Sequence, residues 1–255
     1  MVPGMSAAAE TSRRGLILVA EDDPTSRKMV SRLLQSAGFA VVPAEDGGVA
    51  VARFADQAVD LVLMDRYMPE VDGLDATRAI RSSRRGETIP IIGLTGDTEP
   101  EDIAACEAAG MDLVLGKPVD LDELLAVIET ALAGTPETTA PQARATTEEA
   151  EPDFDPAVMA ALMARFGRPG LADLIDAAHE SMQIAAEAIA SGDPVRLTRA
   201  GHSLKSAASQ LGLSGLSRVC RAVEAAKGDP ALGARLQAAL AEARATIALN
   251  RPDLA

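Results

Sequence analysis

The sequence predicts an α/β domain, a doubly wound five-stranded parallel sheet, followed by an all-α helical bundle. Three observations carry this. Residues 16–133 alternate short apolar runs with amphipathic helical stretches, the pattern of parallel βαβ units. Residues 153–255 show helical periodicity throughout. Between them, Gly134 to Pro152 is rich in Thr, Ala, Pro and Glu without apolar periodicity, and reads as a flexible linker. The expected division is a disordered leader over 1–14, the α/β domain over 15–133, the linker over 134–152 and the bundle over 153–255, within a 255-residue length that allows two compact cores.

Five apolar runs give the strands: Leu16 to Ala20, Phe39 to Val42, Leu61 to Met64, Ile89 to Leu94 and Leu113 to Gly116. Ligands in such folds gather at the carboxyl ends of the strands. Past the first strand come Glu21, Asp22 and Asp23; past the third, Asp65; past the fourth, Thr95; past the fifth, Lys117 and Pro118. Carboxylates brought together there repel one another unless a cation joins them, and an all-oxygen cluster suits Mg²⁺. Asp23 before Pro24 is also a good helix N-cap, which explains Asp23 but not Asp65 or Lys117. Gly110 to Lys117 imitates a phosphate-binding loop, but its glycine spacing is one residue too long and Pro118 replaces the required Ser or Thr.

The set at these strand ends resembles the receiver domain of response regulators, a flavodoxin-like fold. The resemblance implies that Asp65 is the phosphoacceptor and that Glu21 and Asp22 form the acidic pair. It also implies that Glu21, Asp22, Asp65 and the Tyr67 backbone carbonyl hold Mg²⁺, with Thr95 and Lys117 on the phosphoryl oxygens. The pair is aligned on Glu21 and Asp22 because a polar residue and Pro follow it, as Asp23-Pro24 do; a register of Asp22 and Asp23 is the alternative. Two departures bear on mechanism. Val114 stands where the fifth strand usually carries an aromatic switch, and Tyr67 is bulkier than usual and could shield an acyl phosphate.

The second half predicts helices near 155–165, 169–190, 194–210, 213–227 and 230–249, packed as an antiparallel bundle. Leu197, Gly201, Leu204, Ala208 and Leu211 form one buried stripe, leaving Thr198, His202, Lys205, Ser206 and Ser209 on roughly the opposite face. An imidazole on an open face with a cation one turn along can accept a phosphoryl group, which brings a charge of roughly −1.5 to −2. The run His202, Leu204, Lys205, Leu211, Gly212 resembles the active-site helix of histidine-containing phosphotransfer (HPt) domains, with Ser206 where Gly is usual. The resemblance implies that His202 is the phosphohistidine and Lys205 its cationic partner. His179 flanks the stripe Leu171, Leu174, Ala178, Met182, Ala185 and Ile189 and reads as an ordinary helix-surface residue.

Charge is unevenly divided. Asp plus Glu against Lys plus Arg is 23 to 12 over 1–133, 4 to 1 over the linker and 11 to 11 over 153–255, which sums to the net −14. An acidic first half argues against nucleic acid as a partner. Arg196, Arg199 and Lys205 make the His202 face basic, suited to an acidic receiver. Cys106 and Cys220 have no metal-ligand spacing and read as reduced thiols, no stretch is long enough to span a membrane, and the leader lacks a secretory h-region, so a cytoplasmic location is expected.

Together these features predict a phosphorelay protein. Its partners would be a histidine kinase or other phosphohistidine donor and response-regulator receivers; its cofactor would be Mg²⁺. No ATP-binding kinase domain fits into the remaining residues, so it would be a signalling carrier rather than a kinase. Three other readings stand beside this one: the tail of a hybrid sensor kinase, which the leader and initial Met disfavour; a phosphate sink; and a docking module in which His202 is silent.

Overall fold

The computed structural model describes residues 14–96, 100–117, 119–134 and 152–250. The expected leader apart from Arg14, together with Pro118 and nearly all of the expected linker, lies outside the described residues. In chain order the first half runs β1 (Leu16–Ala20), α1 (Pro24–Ser36), β2 (Ala40–Ala44), α2 (Gly47–Asp56), β3 (Leu61–Asp65), α3 (Gly73–Arg81), β4 (Ile91–Thr95), α4 (Pro100–Ala109), β5 (Leu113–Gly116) and α5 (Leu121–Leu132). The strands form one parallel sheet in the order β2-β1-β3-β4-β5. Every residue of β3 and β4 is buried, as central strands covered by helices on both faces must be. One apolar layer gathers Leu18, Val62, Met64 and Ile91; the other gathers Ile17, Leu61, Leu63 and Leu94.

The second half is helical: α6 (Pro156–Ser191), α7 (Pro194–Gln210), α8 (Ser214–Ala225), a 3₁₀ turn (Pro230–Leu232) and α9 (Gly233–Asn250). The two helices expected over 155–165 and 169–190 are one element interrupted by a kink at Gly167, where φ is 67°, just before Pro169. Leu174, Leu197, Leu204, Cys220, Val223 and Leu236 lie in its buried core. Gly212 stops α7 at a φ of 73°, a left-handed conformation that reverses the chain into α8. Gly201 packs tightly there: a Cβ would meet the Cys220 carbonyl oxygen at 3.1 Å.

Aspartates set most helix starts. Asp23, Asp46, Asp72, Asp120, Asp155 and Asp193 each accept a backbone N–H at the first turn of α1, α2, α3, α5, α6 and α7. Each cap is worth about 0.5–2 kcal/mol. Among the described residues no helix is long and apolar enough to cross a membrane.

Candidate functional site

The sheet order puts the carboxyl ends of β1 and β3 side by side, since Ala20 pairs with Met64. Glu21 and Asp22 leave β1 there and Asp65 closes β3, and ligand atoms of the three carboxylates all lie within 4.8 Å of one another. Asp23 turns away from this group and caps α1, accepting from the Ser26 N–H at 2.8 Å. Thr95, fully buried, ends β4 beside Asp65, and its carbonyl accepts from the Lys117 N–H at 2.6 Å. Lys117 Nζ then donates to Glu21 Oε2 and Asp65 Oδ2, both at 2.7 Å.

Two buried acids and a partly buried third, with one ammonium among them, leave an excess of negative charge. Desolvation pushes the Asp65 carboxyl up to about 7, against the pull of Lys117 and with a further push from Glu21. Burial and neighbouring carboxylates likewise raise Glu21 and Asp22 above the usual range. Burial alone would lower Lys117, but the charges of Asp65 and Glu21 hold it above its ordinary value. Asp22 Oδ2 accepts from Ser203 Oγ at 2.9 Å, whereas its buried Oδ1 has no hydrogen-bond partner among the described residues. An orphaned buried carboxylate oxygen facing two more carboxylates fits a hard divalent cation with oxygen ligands. Tyr67 donates its N–H to Asp65 Oδ1 at 3.3 Å, so its backbone sits at the same crevice.

His202 lies on the second half of the chain and reaches the same place. A Cβ built on Gly96, the residue after Thr95, would meet His202 Cε1 at 3.0 Å and Nε2 at 3.6 Å. The Tyr67 ring stands edge-on to the imidazole at 5.1 Å, with the Arg66 guanidinium 4.6 Å from that ring's centroid. The bulky Tyr67 therefore contacts the histidine. The His202 side chain is only 12% exposed. It turns away from its own bundle core, but the α/β half covers the face that the helical stripe leaves open to solvent.

Sequence reasoning missed Glu224. On α8, its Oε1 lies 2.5 Å from His202 Nδ1, and its Oε2 accepts from Lys205 Nζ at 2.6 Å. Burial would raise this carboxyl, but the hydrogen bonds from His202 and Lys205 pull it down to about 2. An ionised Glu224 can only accept, so of the two neutral tautomers it favours the one with the proton on Nδ1 and the lone pair on Nε2. Glu224 also offsets Lys205, so the expected basic face consists of the exposed Arg196 and Arg199 rather than all three cations. Ser206 is buried rather than open: at 100° per residue it lies opposite the Leu204 and Ala208 stripe, so its burial comes from packing on that opposite side of α7 and not from the stripe itself. His179, partly buried along α6, is remote from these contacts in sequence and joins none of them.

Residues 17–129 match the family model for the response regulator receiver domain and residues 170–246 that for the Hpt domain. Protein PilH of Pseudomonas aeruginosa is 36% identical over 118 residues, which cover 46% of this chain and 98% of PilH. The chain belongs to the response regulator receiver family. The CAI-1 autoinducer sensor kinase/phosphatase CqsS of Vibrio cholerae is 44% identical over 110 residues, 43% of this chain and 16% of CqsS. The sensor histidine kinase AruS of Pseudomonas aeruginosa is 30% identical over 232 residues, 86% of this chain and 22% of AruS. This chain thus spans about a fifth or less of the length of these kinases, while the AruS match is longer than either domain alone. With a receiver and an Hpt domain in one chain, the protein is a phosphorelay module.

Proposed function

We propose that the chain carries phosphoryl groups between histidine and aspartate through Asp65 of its receiver (residues 15–133) and His202 of its Hpt domain (153–255), with 134–152 as the tether. The observation that carries this reading is the pairing of an aspartate crevice bridged by Lys117 with an imidazole held by Glu224 so that Nε2 is the free nucleophile. Asp65 would attack phosphorus on a phosphohistidine, supplied by a histidine kinase or another donor. Its Oδ–P bond forms as the N–P bond breaks and the electron pair returns to the imidazole. Lys117 and Thr95 would stabilise the transferring oxygens.

In the other direction the His202 Nε2 lone pair attacks an aspartyl phosphate and the carboxylate leaves. The Nδ1 proton stays in its hydrogen bond to Glu224, so neither direction needs an outside acid or base. Lys205 would offset the charge of the phosphoimidazole together with Arg199. Glu21, Asp22, Asp65 and the Tyr67 carbonyl would hold Mg²⁺, which supplies neutralisation of phosphoryl oxygens when bound. Partners would be phosphohistidine donors and other receivers, in the cytoplasm.

A small-molecule phosphodonor tests the site. Label should enter wild-type protein only with a divalent cation, and Asp65→Asn should abolish entry. Labelling that is indifferent to chelator, or equal in Asp65→Asn, would contradict the assignment.

A further inference from the structure

Besides the site, the receiver and the Hpt domain touch along α1 and at the start of α5. At the start of α1, Thr25 Oγ1 and Ser181 Oγ of α6 share a hydrogen bond at 2.8 Å, and the Thr25 N–H reaches the same oxygen at 3.3 Å; both side chains are buried. One turn on, Met29 is 1% exposed and packs among the apolar residues of the bundle, although it belongs to the receiver's first helix. Arg32 pairs with Asp173 beyond it. At the start of α5, Leu121 and Phe166 of α6 pack into both halves, and Arg165 donates to Asp122 at 3.0 Å. At the site itself Ser203 holds Asp22 and His202 meets Tyr67 and Gly96.

A buried, mutually satisfied hydroxyl pair and a buried methionine are features of a packed interface rather than of a surface collision. The contacts also impose direction. α1 lies along α6 with its amino end, next to Glu21 and Asp22, pointed at α7, and this brings the Nε2 edge of His202 over the carboxyl ends of β3 and β4.

We propose that the receiver and Hpt domain of one molecule dock in cis as a donor–acceptor pair, and that this docking closes both Asp65 and His202 to outside partners until the domains part. The proposal rests on the phosphorelay reading, because exchange between the two residues presumes that both carry phosphoryl groups. Closure follows from coverage: Asp65 is 1% exposed and His202 12%, and an outside receiver would need the face that this receiver occupies. Phosphoryl transfer into or out of the module then competes with transfer inside it.

Two measurements on the full chain test this. First, label entering Asp65 from acetyl phosphate should reach His202 at a rate independent of protein concentration. Mixed Asp65→Asn and His202→Gln chains at micromolar concentration should exchange about 100- to 1000-fold more slowly, because a short tether gives an effective concentration on the order of millimolar. Rates in wild type that scale with concentration as the mixture does would overturn cis pairing.

Second, Thr25→Cys with Ser181→Cys in the Asp65→Asn chain should form an intramolecular disulfide under mild oxidation, while the buried Cys106 and Cys220 stay silent. The stapled chain should accept label from phosphorylated His202→Gln chain at least about tenfold more slowly than after reduction. No cross-link in the native protein, or equal rates before and after reduction, would overturn docking or closure respectively. Met29→Glu gives an independent check, since it places a charge in the interface but on what becomes an exposed helix face in the open form. With Asp65 and His202 both present, it should make exchange concentration-dependent, and it should speed acceptance in trans; no change in either contradicts the proposal. Cross-linking needs no phosphoryl chemistry, so it decides docking even if Asp65 takes no label, and that separate failure would overturn the relay reading instead.

Discussion

At the scale of single residues, the chemistry is set by which charges the fold leaves uncompensated. Asp65 has its carboxyl raised to about 7, so the folded protein holds a proton there more tightly than the unfolded chain does. The associated stability is complete below the ordinary carboxylate value near 3.8 and is lost as pH rises through 7. Asp65→Asn, neutral at every pH, should therefore stabilise the metal-free protein by about 1–3 kcal/mol at pH 8 and by much less at pH 4.5. Urea melts in chelator at the two pH values measure this; a destabilised Asn variant at pH 8 would contradict the charge account. Glu224 holds His202, the proposed second phosphoryl station. Glu224→Gln should leave the helical content unchanged and slow phosphoryl transfer to His202 by about 10- to 100-fold, because a neutral amide accepts more weakly than a carboxylate and can also present its NH2 to Nδ1, so the tautomer is no longer fixed. Glu224→Asp should recover part of the rate, and full activity in Glu224→Gln would remove Glu224 from the site. Nothing local in the sequence marks Glu224. His202 lies ten residues before Gly212 and Glu224 twelve after it, so the pair follows only from recognising that α7 and α8 reverse there as a hairpin.

The elements were legible wherever a pattern is local. Apolar runs give β1 and β5 as observed, while β2 and β4 each begin one or two residues later than the runs suggest, because Phe39 and Ile89 are buried outside the ladder. The helical stripe of α7 places Leu197, Leu204 and Ala208 inward as read, but periodicity cannot foresee the burial of Ser206, which lies opposite the stripe on a side of α7 that one helix read alone leaves open. The kink within α6 depends on Gly167 and Pro169 together, and helical periodicity on either side of it reads as two helices. One glycine ties an element directly to the chemistry. Gly73 opens α3 against the end of β3, where a Cβ would sit 1.9 Å from the Asp65 carbonyl oxygen. Backbone on one side and a fully buried strand on the other leave no room to yield. Gly73→Ala should cost about 2–4 kcal/mol in denaturant melts and slow labelling of Asp65 by displacing its backbone. A variant with wild-type stability would show that the β3–α3 turn can relax.

For the molecule as a whole, sequence pointed to the two domain families and singled out Asp65 and His202 as candidates, but not their mutual placement. Docking is written in side chains that look ordinary one at a time: Thr25, Met29, Phe166 and Ser181 carry no motif, and they matter only because α1 and α6 meet. The same placement changes what the His202 surface means, since the receiver covers it and Tyr67 packs on it. His202→Gln should still fold, with a melting temperature within a few degrees of wild type, because the imidazole's strong partner is Glu224 rather than the core; a collapse of the α-helical signal would make it a structural residue. The central claim is that Asp65 and His202 are successive stations for one phosphoryl group. Its most direct measurement is a chase of radiolabel from acetyl phosphate and Mg²⁺, followed by acid and base stability of the adducts and by mapping of the labelled peptide. The account predicts base-stable phosphohistidine at His202 in wild type, only acyl phosphate at Asp65 in His202→Gln, and no label at either residue in Asp65→Asn. Phosphohistidine in Asp65→Asn, or acyl phosphate in wild type that never passes to His202 of any copy of the chain, would contradict it.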